Sequence, residues 1–148
     1  MELLYRGTRD GMSPDLFHNK CNNKGPTISI FKNGKGYIFG GYASIDWISC
    51  NNYRSAPDSF VFTLTNMYDI EPTKFPNTDS RYSIYDQSNC GPIFGSGHDI
   101  RICFNSSDYI NINNSYKDVL GKGYSIFKGD NDNNKLILKE IEVFKLIK

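Results

Sequence analysis

The chain has 148 residues, 39% of them hydrophobic and 14% aromatic, with 17 basic and 16 acidic side chains and a net charge of +1. That length suits one domain, here residues 1–148, and is enough to bury a core without staples. The balanced charge excludes the electropositive face that nucleic acid or an anionic membrane requires, and no apolar run is long enough to insert in a bilayer. The opening residues lack the basic-then-apolar pattern of a secretory signal, so the expected location is cytoplasmic, with any approach to an organelle membrane made through a partner.

Leu3-Leu4-Tyr5 reads as a short strand, and its position near residue 1 suggests a domain cut from a longer chain. Ser13-Pro14-Asp15 is a strong helix start: serine caps, proline fills the first turn, and the aspartate meets the positive end of the dipole. Leu16, Phe17 and Lys20-Cys21 extend it for about two turns until Asn22 to Gly25 end it. Thr27 to Phe31 alternates with the period of a half-buried strand. Asn33-Gly34-Lys35-Gly36 then turns the chain back into Tyr37-Ile38-Phe39. Gly40-Gly41 follows, which predicts a bulge or bend where another backbone comes close.

Ser59 to Leu64 is a further strand, Glu71 to Asn77 with its two prolines a connecting loop, and Tyr82 to Tyr85 a strand. Strands are also expected at Asp99 to Phe104, at Tyr124 to Phe127 and, with a bulge, at Leu136 to Leu146. Seven or eight short strands punctuated by Gly, Asn and Pro predict an α+β, mainly β domain: a two-sheet antiparallel β-sandwich with short helices.

Chemistry is sparse. With two histidines in the chain, general acid–base work has few candidates. His98-Asp99 is the tempting pair, but neighbours in a strand project to opposite faces, so one cannot orient the other. His18 and Cys21 share a helix face, yet the remaining cysteines lack the close pairing of a structural zinc site. Cys21, Cys50, Cys90 and Cys103 contain no CxxC pair and, in a cytoplasmic protein, are expected as free thiols. Gly91 to Gly97 lacks the Lys-Ser/Thr ending of a phosphate loop and reads as a turn. No catalytic residue, metal site or cofactor is therefore expected.

The segment from Leu3 to Tyr42, followed by Trp47, Tyr53 to Leu64, Gly91 to Ile100 and Glu140 to Phe144, resembles the TLDc domain of oxidation-resistance proteins. The likeness covers nearly the whole chain, with its motifs in family order. Two departures stand out: members usually carry a further segment before the first strand, and Ser96 interrupts what is often an unbroken glycine run. The resemblance implies a sandwich of two antiparallel sheets, protection against oxidative stress and, for several eukaryotic members, binding that regulates the vacuolar proton-pumping ATPase (V-ATPase). No catalytic residues come with it.

These readings converge on a non-enzymatic protein-interaction domain. The expected contact surface is made of loops on a rigid frame: Arg6, Arg9 and Asp10; Gly40 and Gly41; and Gly95, Ser96, Gly97, His98 and Asp99. The alternative is a cysteine-dependent, peroxide-handling enzyme using Cys21 or Cys90.

Overall fold

The computed structural model describes residues 1–146. Two antiparallel sheets face each other. The first runs β1 (Glu2–Arg6), β11 (Leu138–Lys145), β2 (Thr27–Asn33), β3 (Ile38–Ala43), β5 (Phe60–Thr63), β6 (Thr73–Pro76). The second runs β10 (Tyr109–Ile110), β9 (Ile100–Arg101), β8 (Ile93–Phe94), β7 (Ile84–Asp86), β4 (Asn52–Arg54). Three short helices, α1 (Gly7–Asp10), α2 (Pro14–Cys21) and α3 (Ser125–Lys128), and a 3-10 turn at Ser80–Tyr82 complete it. The expected mainly-β sandwich is thus the observed one.

Local chemistry explains most elements. The Ser13 side chain accepts from Leu16 N, and Pro14 opens α2 as its composition predicts. The helix buries Phe17 edge-on to Tyr5 and Trp47, at ring-centroid distances of 6.0 and 5.8 Å. The Asn33 side chain accepts from Lys35 N and Tyr37 N and donates to the Phe127 and Lys128 carbonyls, closing the β2–β3 hairpin and fastening α3 beneath it. In β11 the register slips between Leu138 and Glu140, the expected bulge. The inward faces put Phe31, Phe39, Val61, Phe75 and Ile141 against Ile84, Phe94, Ile100 and Ile110, all fully buried.

Five expectations are corrected. Tyr124 to Phe127 is a helical turn rather than a strand. Ser125, Ile126 and Phe127 are buried in succession, which an alternating strand cannot do, and Gly129 closes the turn at φ 86°. Glu71 to Asn77 contains β6, an edge strand where a proline is tolerated because its missing N–H leaves no ladder bond broken. His98 and Asp99 lie in a turn, not a strand, with His98 at φ 56°. The glycine pair sits inside β3, paired on both sides, and is buried. A Cβ on Gly41 would enter the Phe94 ring from the facing sheet, and one on Gly40 would meet the Ser29 carbonyl and the Phe62 ring. The close approach is real: at Gly40 it comes from neighbouring strands of the same sheet, and at Gly41 from the facing sheet.

The fifth correction concerns sulfur. Cys90 and Cys103 form a disulfide. The β8–β9 ladder continues past the strands through Gly91 N to Ile102 O and Ile102 N to Pro92 O, which brings the two cysteines to a Cα separation of 4.1 Å. Sequence distance hid this, because register, not spacing, made them neighbours. Cys21 and Cys50 remain free, one buried and one exposed.

Candidate functional site

Two of the three expected loop regions reach the surface. The first is the corner where β1 runs into α1. Gly7 is buried, since a Cβ there would meet Met12 and Ile141, and so the chain can tuck under itself. The single turn ends at Gly11, whose N–H returns to the Gly7 carbonyl and whose φ of 114° favours glycine. The Tyr5 hydroxyl donates to the Gly11 carbonyl at 2.5 Å. Burial pushes that phenol up to about 12, so it stays protonated and able to donate.

Glu140 of β11 is the anchor of the corner. It accepts from Thr8 N at 3.1 Å, from the Thr8 hydroxyl and from Arg6 Nε at 3.3 Å. Partial burial pushes its carboxyl up, but the Thr8 and Arg6 hydrogen bonds outweigh that and hold it below its ordinary value. Asp10 accepts from Arg9 and from the Arg6 backbone N–H, and those bonds bring it down to about 2. Arg6 and Arg9 keep about half of their side chains in solvent, 49% and 52%. The corner is therefore a pre-formed charged knob whose backbone is pinned from behind. It offers recognition by donors and charge, with no nucleophile–base pair within it.

The second region is the β8–β9 turn. Gly95, Gly97 and His98 all have positive φ. Asp99 points inward, its carboxylate accepting from the backbone N–H groups of Asn114 at 2.9 Å, Ser115 at 2.9 Å and Tyr116 at 3.2 Å. Burial raises Asp99 to about 6, against those three bonds, which lower it. Gly95 must be glycine for the same reason: a Cβ would occupy the place of the Asp99 carboxylate. Gly95 and Asp99 thus build the turn from inside, while Ser96, Gly97 and His98 are what it shows outside. Gly40 and Gly41, buried in β3, present no loop surface at all. The contacts of the corner run to β11 and those of the turn to residues 111–116 and the second sheet, so the structure does not merge them into one constellation.

The thiol and imidazole candidates are accounted for locally. Cys21 is fully buried, and burial pushes its thiol up to about 12, which removes the thiolate a peroxide-handling cysteine needs. Cys90 is in the bridge. The ring nitrogens of His18 are engaged by the Asn22 side chain and by the Gln87 and Cys90 carbonyls. Among the described residues no group of three His, Cys, Asp or Glu side chains could hold a metal ion.

Sequence reasoning missed Tyr53, Tyr85, Arg101 and Tyr109, which gather around His98. Tyr85 stacks on the imidazole at 5.4 Å with a 15° interplanar angle, and Tyr109 lies at 6.2 Å and 27°. These four residues are 56 positions apart at the extremes, with no shared motif; strand pairing alone unites them.

The fold is a mainly β domain of two antiparallel sheets with few short helices, with Arg6, Arg9 and His98 on the turns at its surface. Residues 1–147 match the TLDc domain family, and the chain belongs to it. A stretch of 62 residues is 31% identical to the MTOR-associated protein MEAK7 of Danio rerio, covering 42% of this chain and 14% of that protein. The match therefore spans about a seventh of the relative's length. Among the described residues no helix is long and apolar enough to cross a membrane.

Proposed function

We propose that this TLDc domain is a non-enzymatic protein-interaction module linked to oxidative-stress resistance, which acts by docking on the vacuolar proton-pumping ATPase from the cytoplasmic side. The observation that carries the reading is the corner at Arg6 to Asp10. Its backbone is fixed by Tyr5 and Glu140, so little ordering entropy remains to be lost when a partner binds. Its two arginines keep about half of their side chains in solvent while Arg6 Nε pairs with Glu140 and Arg9 with Asp10, so the corner presents its cations in fixed positions. The relative is an MTOR-associated protein, which supports a family that works through protein partners.

The reading is tested by immobilising the folded domain and exposing it to detergent-solubilised organelle membranes. Wild type captures proton-pump subunits, and Arg6→Glu with Arg9→Glu loses them; because the reversal also sets like charges beside Glu140, Glu142 and Asp10, circular dichroism and thermal unfolding of the variant must show it folded under the capture conditions. Capture that recovers no pump subunit, or that survives the double charge reversal, defeats the assignment.

A further inference from the structure

The outer face of the second sheet carries side chains in cross-strand register. Tyr53 opposes Tyr85, Ile93 opposes Arg101, and Arg101 opposes Tyr109. Ile84 opposes Phe94, which sets Tyr85 beside Ile93 and completes the row across β4, β7, β8, β9 and β10. Within the row Ile93 is fully buried, packed with the Cys90–Cys103 bridge and with Tyr85, so the accessible members are the tyrosines, His98 and Arg101. His98 closes the row from above. Its Nε2 is 3.3 Å from the Tyr53 hydroxyl and its Nδ1 is 3.2 Å from the Tyr109 hydroxyl. All three tyrosines, the histidine and Arg101 are half-buried.

Arg101 is the unusual member. Its Nη1 lies 3.4 Å from His98 Nδ1, its guanidinium is 5.9 Å from the Tyr109 ring, and its Nε is buried with no hydrogen-bond partner. Among the described residues no carboxylate lies within ion-pair distance of it, and the carboxylates on adjoining elements have other work. Asp99 accepts from Asn114 to Tyr116, Asp108 from Cys103 N at 2.7 Å, Asp86 from Ile48 N, Ser49 N and Arg54, and Asp79 from Arg81. Lys135, exposed and without an ion-pair partner among the described residues, bridges by its backbone to Tyr109 at the end of the row and also lines the groove that holds Asp130 and Asp132. A cation with donors to spare, set between aromatic rings, is the composition from which protein-interface anchors are built. The left-handed backbone at His98 is a strained conformation of the kind that collects at binding sites.

We propose that this row binds an acidic peptide segment of a protein partner, with one carboxylate on Arg101 and the apolar flank of the segment against the Tyr85 and Tyr109 rings. The charge decides the occupant: Arg101 has no ion-pair partner among the described residues, its neighbour Asp108 is buried and spends its carboxylate on Cys103 N, and no carboxylate stands in the row itself. The proposal deepens the interaction-module reading and rests on it, but it uses a face distinct from the Arg6–Asp10 corner.

The test is an NMR titration of the whole chain with a blocked pentapeptide of three glutamates flanked by leucines. Its glutamine counterpart and inorganic phosphate serve as controls. The expected result is movement of the Arg101 Nε–H signal and of the Tyr53, Tyr85, His98 and Tyr109 amides with the glutamate peptide, and none with the glutamine peptide. Arg101→Gln weakens binding about tenfold or more, as loss of a charge-assisted hydrogen bond does, and Arg101→Lys recovers part of it. Circular dichroism of each variant separates lost binding from lost folding; if Arg101→Gln is unfolded, Lys135→Gln and Tyr53→Ala take its place. Equal binding of the glutamine peptide, equal shifts from phosphate alone, shifts confined to Arg6–Asp10, or a concentration-dependent dimer that occupies the row would each overturn the proposal. Success here alongside failed pump capture rejects the named partner and leaves the peptide site standing.

Discussion

Breaking the Cys90–Cys103 bridge is the most direct test of the tertiary structure. The bridge spans a sequence separation of 13, and closing a loop of that size in the unfolded chain is worth about 3 kcal/mol by chain entropy. For a domain of this length that difference corresponds to roughly 6–12 °C in Tm. Urea unfolding of the oxidised protein and of the protein fully reduced with a phosphine measures it under identical conditions. Alkylation supplies an internal check. Oxidised protein unfolded without reductant takes two labels, on Cys21 and Cys50; folded protein takes one, on exposed Cys50. Four labels without reductant would show that the bridge does not form. Two labels together with oxidised and reduced unfolding curves agreeing within about 0.5 kcal/mol would refute the loop-closure reasoning itself.

Two further outcomes follow from packing and charge. Gly41→Ala drives a methyl into the Phe94 ring and is expected to destabilise by about 1–3 kcal/mol, whereas Gly34→Ala, whose nearest neighbour is Ile137 at 3.6 Å, stays within about 1 kcal/mol; equal urea midpoints for the two would contradict the sheet-contact account. Asp99 has its folded value raised to about 6 from 3.8, so its contribution favours folding below about pH 4 and is lost as pH rises through 6. The stability of wild type relative to Asp99→Asn should therefore fall by about 2 kcal/mol between pH 4 and pH 7, and parallel pH profiles of the two proteins would show that the buried carboxylate is not the titrating group.

Where the signal was local, the chain disclosed its structure early. Ser13 and Pro14 announced α2, Asn33-Gly34 the hairpin, and the alternation from Thr27 to Phe31 its first arm. The two- and three-residue strands β4, β8, β9 and β10 carry too few residues to show a period, so their existence depends on neighbours that supply the other half of each hydrogen bond. Gly40 and Gly41 illustrate the divide. The sequence signalled a close approach, but nothing local could say that the object approaching was Phe94, 53 residues beyond Gly41.

The sequence by itself determined the class of fold, the helix cap, the hairpin and the family, because capping, turn chemistry and alternation are properties of adjacent residues. It also placed Arg6, Arg9 and Asp10 together, since a single turn keeps them close. Only the tertiary structure decided that Cys90 meets Cys103, that Asp99 turns inward, and that Tyr53, Tyr85, Arg101 and Tyr109 stand in one row beside His98. Those facts depend on strand order and register, and a shift of one residue would send every side chain in a strand to the opposite face.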